Sequence, residues 1–380
     1  MKNIPLFGVV NSPEMEQKAI EVLRSGRIAS GEYITQFEAG FGELIGAKDV
    51  VSTVDMSSAL ILALHLAGVT SGDEVITTAF ACMSTNSAIS NCGATPVWVD
   101  VKPQSVEMDI ADFVQKLTPQ TKAVILYHVA GYPGPAKEIA AICKQRGITL
   151  IEDCDNALFA TRTGEHVGSY GDFAIYSFYP NRQINTTEGG ALICKDPNMA
   201  ARARKLRRFG IDAKNFRDLN GEIDPNSDIP EIGWGCTMNN LCAAMGTVQL
   251  TTAEARVAKA RENVSILTEK IGAISSLERH ITLMPIASDA DPAYWVLLLW
   301  IKHRNEVLKS MKLQGVSVSI LHQRNDVYSG FHVQATPNQL PNTTHLQNHV
   351  LAVPCGWWIS LQDIDHIVTS LQNAHAPYSP

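Results

Sequence analysis

Two segments of this chain place polar side chains where a folded protein could bind a ligand. Segment 151–158 (IEDCDNAL) puts Asp153 directly after residues 149–152, which are predicted to form a buried strand. Segment 177–184 (SFYPNRQI) puts Ser177 at the end of a second such run and Arg182 five residues later. Ligands of parallel sheets bind beyond the strand ends, which is where Asp153 and Ser177 are expected. Each segment also has a simpler interpretation, with Asp153 as a helix N-cap and Arg182 as a surface arginine in a loop.

The chemistry open to Arg182 is limited by its guanidinium group. A lysine desolvated in a pocket can lose its proton, attack an aldehyde and later carry a proton between carbons. A guanidinium stays charged, with a pKa on the order of 13, and does neither near neutral pH. Arg182 is therefore not expected to act as a nucleophile or a base.

Other segments could bind an anion or move a proton. Segment 53–60 (TVDMSSAL) opens an apolar helix, and Ser57 at its start could help to bind a phosphate. Taken alone, Ser57 fits a plain N-cap better. His322 and Arg324 lie two residues apart on a loop after a strand, where they could bind a diphosphate or aid proton transfer, or simply be solvated. His128, which follows a strand, is a similar case.

The elements that must position these residues alternate between strand and helix. Continuous apolar strands separated by helices predict an α/β fold, with a largely parallel sheet covered on both faces. The predicted strands cover 49–53, 74–77, 95–99, 123–127, 149–152, 173–177 and 191–194, and the predicted helices cover 13–25, 33–45, 57–66, 111–117, 135–146 and a segment ending at 91.

The second half of the chain changes character. Residues 212–231 are polar and rich in turn signals, which predicts a long ordered loop or an arm that contacts a partner. One long helix is expected from about Met238 to beyond Asn263, then a strand at 294–302 and a helix at 305–313. We expect an N-terminal arm and helix over 1–30, a large domain over 31–250 and a small α+β C-terminal domain over 251–380.

Composition excludes several classes of protein. With 45% hydrophobic and 18% charged residues the chain is expected to fold, and its 380 residues allow a large core and a smaller second domain. The net charge of −7, without a basic tract, argues against nucleic acid or an anionic membrane as partner. No signal peptide or spanning segment is evident, so a cytoplasmic location is expected. The eight cysteines lack metal-site spacing and are expected to be free thiols, with no metal site.

Taken together, these motifs resemble the DegT/StrS family of pyridoxal-phosphate (PLP) aminotransferases, which mostly act on nucleotide-linked keto sugars. The resemblance rests on segments 151–158 and 177–184, on the Glu-Gly-Gly turn at 188–190 and on further segments over nearly the whole chain. It implies the fold-type-I aminotransferase architecture. In that family the residue four after the Phe of the second segment is the Schiff-base lysine, and here that residue is Arg182.

The resemblance also implies roles for the cofactor contacts. It places Asp153 on the ring nitrogen and Asn156 near the phenolic oxygen, while Ser177 adds a hydroxyl to the phosphate site. The chain departs from the family pattern at other positions that contact the cofactor. Met56 stands for the usual Gly, Ser57 for Thr, and Cys82 for an aromatic side chain that stacks on the ring.

Three functions follow from the resemblance. The first is an enzyme that acts on a nucleotide-linked keto sugar with PLP or its amine form, pyridoxamine phosphate (PMP), bound without a lysine linkage, in a homodimer with the site at the subunit interface. A related alternative is a PMP-dependent keto-sugar 3-dehydratase, in which another group such as His322 or His128 is the base. The third is a catalytically silent homologue that binds a sugar nucleotide or a partner subunit. A working aminotransferase into which Arg182 was introduced also stays open.

Overall fold

A computed structural model describes residues 3–275, 277, 280–333 and 338–378 of the chain. The strands are β1 Val50–Thr53, β2 Glu74–Thr78, β3 Thr95–Val99, β4 Thr121–Tyr127, β5 Thr149–Asp153, β6 Thr161–Arg162, β7 Glu165–His166, β8 Phe173–Ser177, β9 Gly190–Cys194, β10 Ile281–Leu283, β11 Ala290–Asp291, β12 Leu297–Ile301 and β13 Val350–Val353. The helices are α1 Pro13–Ser25, α2 Glu32–Ile45, α3 Met56–Leu66, α4 Met83–Asn91, α5 Ile110–Gln115, α6 Ala136–Arg146, α7 Pro197–Leu206, α8 Asn240–Gln249, α9 Ala253–Gly272, α10 Arg304–Leu313, α11 Pro341–His349 and α12 Leu361–His375.

A seven-stranded sheet with the order β1-β9-β8-β5-β4-β2-β3 forms the centre of the molecule. The strands β8, β5, β4, β2 and β3 pair in parallel, and β9 runs antiparallel to both of its neighbours. The prediction of a mostly parallel central sheet is confirmed. The carboxyl ends of β4, β5 and β8 therefore meet at one edge, and in the register of β4 and β5 Tyr127 lies beside Asp153.

Helices cover both faces of this sheet because alternate residues of each strand point to opposite sides. Ile125 packs in the core under α3 and α7, whereas its neighbour Leu126 packs in a second core with α5 and α6. Both side chains are at most 1% exposed. Burial on both faces explains why the strands read as continuous apolar runs.

A smaller sheet, β10-β12-β13, packs with α9, α10 and α12 around a separate apolar core. Ile4, near the start of the chain, belongs to the same core and bridges to Val316. The domain boundaries inferred from the sequence stay a prediction.

The single long helix predicted from Met238 is wrong in one respect. The chain forms α8 and α9, separated by a short 3₁₀ turn over Leu250–Thr252. At that break Gln249 is buried, and its side-chain oxygen accepts a hydrogen bond at 2.9 Å from the backbone N–H of Asn185. This long-range contact overrides the local helix preference.

Among the described residues, the helices are all too short or too polar to cross a membrane. The same part of the chain holds no group of three or more His, Cys, Asp or Glu side chains arranged to bind a metal ion.

Candidate active site

Asp153 is a fully buried carboxylate at the carboxyl end of β5. Its Oδ2 accepts a hydrogen bond at 2.7 Å from the hydroxyl of Thr85 in α4, and its Oδ1 accepts one at 3.1 Å from the backbone N–H of Asp155. Burial, with the neighbouring charge of Asp155, raises the pKa of Asp153 to about 7. A cationic partner would offset the cost of burying this charge. The position thus fits a ligand that presents a protonated nitrogen.

Arg182 and Asp155 form a buried bidentate ion pair beside Asp153. Arg182 Nε donates to Asp155 Oδ1 at 2.6 Å, and its Nη2 donates to Oδ2 at 2.8 Å. The third nitrogen, Nη1, donates to the side chain of Asn181. Burial disfavours the guanidinium charge, but the charge and hydrogen bonds of Asp155 outweigh burial and raise the pKa of Arg182. Arg182 is therefore an internal cation of this cluster and not a surface residue.

Trp295 holds the same guanidinium from a second side. The Cζ atom of Arg182 lies 4.6 Å from the centroid of the Trp295 ring, within the range of a cation–π interaction. The indole N–H donates to the backbone oxygen of Asn181 at 2.9 Å, and Phe7 stacks on the ring at 4.3 Å between centroids. Side chains from three distant parts of the sequence thus fix the position of Arg182.

A second hydrogen-bonded group lies at the end of β4. Tyr127 Oη accepts a hydrogen bond at 2.7 Å from the amide of Asn156 and lies 3.2 Å from Nε2 of His322. The amide oxygen of Asn156 is buried and has no hydrogen-bond partner among the residues that the structure describes. Burial lowers the pKa of His322 to about 4, although the ring keeps some contact with solvent. A neutral His322 can accept the hydrogen of the Tyr127 hydroxyl, which joins the three side chains in one chain of hydrogen bonds.

The amino terminus of α3 lies against β9. Gly190 permits this approach, because a Cβ added there would meet the backbone oxygen of Asp55 at 2.6 Å. The N-cap of α3 is Asp55, whose carboxylate accepts a hydrogen bond at 2.7 Å from the N–H of Ser58. The interpretation of Ser57 as the N-cap is therefore wrong. Ser57 is half-buried in the first turn, and Met56 is buried at the first helical position.

Ser177 and Cys82 lie at two further strand or helix ends. Ser177 ends β8 next to Gly190 of β9, and its hydroxyl accepts a hydrogen bond at 3.3 Å from the N–H of Tyr179. Cys82 is half-buried directly before α4, and its sulfur accepts a hydrogen bond at 3.1 Å from Ser84. Cys82 lies close enough to Tyr127 and Arg182 for a charge on its sulfur to act on both side chains.

His128 is not brought into this cluster, which corrects its assignment as a candidate base. The ring is fully buried, and both of its nitrogens have partners inside the protein. Nδ1 accepts a hydrogen bond at 2.9 Å from the N–H of Gly134, and Nε2 lies 3.1 Å from Glu152. Since Nδ1 is an acceptor, Nε2 carries the hydrogen and donates to Glu152. No lone pair of the ring is left for a substrate.

Arg324 has internal partners as well. Its guanidinium forms a bidentate ion pair with Asp326, at 2.7 Å from Nε and 2.5 Å from Nη2, and also donates to Thr344. Only 5% of the residue is exposed. A substrate-binding role for Arg324 stays a prediction, and the contacts that the structure gives it are those of a residue that braces its own loop.

Sequence reasoning missed four residues of the cluster: Thr85, Tyr127, Asp155 and Trp295. The role of Asp155 could have been predicted, because a buried arginine needs a carboxylate partner and this acid follows Asp153 by two residues. Tyr127 ends a predicted strand at the same sheet edge. Trp295 and Thr85 gave no local signal, since their contacts join segments that are far apart in sequence.

The chain is an α/β protein with a buried polar cluster at the carboxyl ends of its central strands. Comparison with known proteins gives its family. The sequence matches the DegT/DnrJ/EryC1/StrS aminotransferase family over residues 11–372, and the chain belongs to that family.

Individual relatives agree with this assignment. The chain is 28% identical over 360 residues to GDP-perosamine synthase from Escherichia coli O157:H7, covering 94% of this chain and 92% of the relative. It is 27% identical over 380 residues to the spore coat polysaccharide biosynthesis protein SpsC of Bacillus subtilis, covering 98% and 96%. The crystal structure of the sugar aminotransferase CalS13 from Micromonospora echinospora superposes with a TM-score of 0.89 at 28% identity, covering 97% and 99% of the two chains.

Proposed function

We propose that this chain binds PLP or PMP non-covalently and acts on a nucleotide-linked keto sugar, with Arg182 at the position of the family's Schiff-base lysine. The observation that carries the proposal is the buried ion pair of Arg182 with Asp155 directly beside Asp153. Arg182 is charged and anchored, so it can neither form a covalent link nor carry a proton. Asp153 nevertheless remains placed for a protonated ring nitrogen.

The residues present fit the ring of the cofactor, which when bound supplies an electron sink. In this proposal Asp153 holds the ring nitrogen. Among the described residues the amide oxygen of Asn156 has no hydrogen-bond partner, so it would accept a hydrogen bond from the phenolic hydroxyl of the cofactor while its NH2 group keeps its bond to Tyr127. Cys82 would lie against a ring face.

The phosphate would lie at the start of α3, with Met56, Ser57 and Ser177 around it. Backbone N–H groups and hydroxyls there suit a phosphate. The carboxylate of Asp55 caps the same helix end. Burial, with the charge of Asp55 as the smaller cause, raises the pKa of Glu188. The negative charge of Asp55 at the amino terminus of α3 repels a phosphate dianion. We therefore propose that the site binds the cofactor phosphate more weakly than a site with an uncharged N-cap residue.

The proton carrier in this proposal is His322. Its imidazole is neutral near pH 7 because burial lowers its pKa to about 4. Since Nε2 of His322 lies 3.2 Å from Oη of Tyr127, the hydroxyl would pass its own hydrogen to the imidazole as its oxygen takes up a proton released by the substrate. A keto-sugar 3-dehydratase that uses PMP is the second candidate function, because such a reaction needs a base but no covalent lysine.

Binding of the cofactor is tested by calorimetric titration with PMP and with PLP. We expect saturable binding of PMP, and at least tenfold weaker binding by Asp153→Asn, because the charge on the ring nitrogen would lose its partner. Asp365→Asn, which removes an exposed acid paired with Lys270, is the matched control and should leave binding unchanged. Absence of binding by either cofactor form would refute the proposal and favour a silent homologue.

The reaction is tested with a single turnover of the PMP-loaded protein. The names of the relatives make GDP-linked keto sugars the first substrates to try. Transamination would convert PMP to PLP and leave an amino sugar, whereas dehydration would release water from the sugar without adding nitrogen. Mass spectrometry of the sugar separates the two reactions, and an unchanged sugar would contradict both.

We also propose a homodimer with the site at the subunit interface, and a cytoplasmic location. Exposed apolar side chains that flank and occupy the 212–231 segment support an interface there: Phe209, Leu219, Ile223, Ile232 and Trp234.

A further inference from the structure

The environment of position 182 favours a positive charge, whichever cationic side chain stands there. Two features act independently. The carboxylate of Asp155 contacts the guanidinium at 2.6 and 2.8 Å, and the face of Trp295 lies 4.6 Å from its central carbon. Asp155 is 3% exposed and Trp295 7% exposed, so solvent does little to weaken either interaction.

A lysine at this position would meet the same two groups. Along the side chain, lysine Nζ corresponds to arginine Cζ, which lies between the two nitrogens that contact Asp155. An ammonium placed there remains within ion-pair reach of the carboxylate and over the indole ring. Only the neutral amine attacks an aldehyde, so stabilisation of the ammonium opposes covalent capture of PLP.

We propose that Asp155 and Trp295 form a cation trap at position 182, which keeps a lysine introduced there protonated and unable to bond PLP. Asp155 is thus a positioning residue that determines the covalent chemistry of this site. A single substitution, Arg182→Lys, would not restore a covalent PLP link, whereas the double variant Arg182→Lys/Asp155→Asn would. The inference rests on the proposed function only in taking PLP as the aldehyde.

The other titratable groups around position 182 do not reverse this balance. Asp153 on β5 adds negative charge when ionised, which also favours the ammonium. Burial raises the pKa of Tyr127 on β4 well above its ordinary value, so the phenol is neutral near pH 7. His322 is neutral as well, because burial lowers its pKa to about 4. Cys82 lies before α4 and would add negative charge only as a thiolate.

The first test measures the reactivity of the lysine without any cofactor. Formaldehyde and cyanoborohydride methylate neutral amines, and peptide mass mapping reports the reaction at residue 182 as a function of pH. We expect half-maximal labelling of Arg182→Lys at a pH at least one unit higher than in Arg182→Lys/Asp155→Asn. The matched control, Arg182→Lys/Asp365→Asn, removes an exposed acid and should behave like the single variant. Equal pH midpoints in the single and double variants would overturn the proposal.

The second test uses PLP and borohydride on the same proteins at pH 7.5. We expect a reducible adduct at residue 182 in the double variant and at least tenfold less in the single variant. Equal adduct in both would overturn the trap. If the native chain did not bind PMP, that result would count against the proposed function. It would not affect the formaldehyde test, which uses no cofactor.

Both tests require that the double variant Arg182→Lys/Asp155→Asn folds like the native chain. Circular dichroism and thermal melting would show whether the double variant is native. If it is not, Arg182→Lys/Trp295→Leu removes the other half of the trap. We expect it to lower the labelling midpoint relative to Arg182→Lys, and an unchanged midpoint would contradict the role of the indole.

Discussion

Asp153, Asp155 and Arg182 place three charges in a part of the protein that water barely reaches. The guanidinium of Arg182 forms its bidentate ion pair with Asp155, and its remaining nitrogen donates to Asn181. Within the described part of the chain, the hydrogen-bond donors to Asp153 are both neutral: the Thr85 hydroxyl and the backbone N–H of Asp155. The site therefore holds one carboxylate whose charge is not balanced by a direct partner, and a cationic ligand would supply that balance.

The first prediction concerns the stability of the chain without ligand. The pKa of Asp153 is about 7 in the folded chain and 3.8 when unperturbed. Between those values the folded state holds more protons than the unfolded state, so stability falls as pH rises from about 4 to about 7. Asp153→Asn removes this loss. We expect the melting temperature of Asp153→Asn minus that of the native chain to increase from about pH 4 to about pH 7, by an amount equivalent to a few kcal/mol. Above about pH 7 the difference should stay constant.

The measurement is thermal melting of both proteins at several pH values in dilute buffer. Melting curves that shift in parallel from pH 4 to pH 8 would show that Asp153 ionises normally in the folded state. That result would contradict the inference that the charge of Asp153 has no direct cationic partner in the folded chain.

The amino terminus of α3 is the element that decides how the phosphate end of a ligand is received. Its N-cap, Asp55, satisfies the N–H of Ser58 but adds a negative charge where the family resemblance places a phosphate. Asparagine caps a helix about as well as aspartate and carries no charge.

The second prediction follows from this cap. We expect Asp55→Asn to bind PMP about three- to tenfold more tightly, because repulsion of the phosphate is removed while the cap remains. Calorimetric titration at low and high salt checks it, since the gain should shrink as salt screens the charge. Unchanged or weaker binding would place the phosphate away from α3.

The third prediction concerns the contact between α3 and β9. A Cβ at Gly190 would lie 2.6 Å from the backbone oxygen of Asp55 and 2.7 Å from Cα of Met56. We expect Gly190→Ala to destabilise the fold by about 1–3 kcal/mol, because backbone atoms must move. Gly272, at the end of α9, is the matched control, because no atom of the described residues lies within 4 Å of the same added atom there. Urea unfolding compares the two, and equal stabilities would contradict the close approach.

For the molecule as a whole, the exposed apolar side chains around the 212–231 segment predict self-association. We expect light scattering after size exclusion to give twice the mass of the chain. Replacing Leu219, which is fully exposed, and Ile232 by aspartate should weaken the dimer if these side chains lie in the interface. A monomer at micromolar concentration would contradict the interface and the placement of a site within it.

The sequence was sufficient to predict the central sheet because its strands are continuous apolar runs that end at turn signals. It also located Asp153 and Ser177 at strand ends, where parallel strands gather polar side chains. It did not predict the break between α8 and α9, which depends on Gln249 contacting Asn185 across the fold. The contact of Trp295 with Arg182 was missed for the same reason, since Trp295 lies more than a hundred residues away. Contacts of this kind come from packing and leave no local pattern.

In the proposed function the chain holds its cofactor without a covalent link. The measurement is borohydride reduction of the native protein saturated with PLP, followed by peptide mapping, with and without excess PMP as competitor. We predict that no lysine adduct will be protected by PMP, although PMP itself binds. A lysine adduct that forms stoichiometrically and disappears when PMP competes would contradict the account, because it would show that another lysine has taken over the role denied to Arg182.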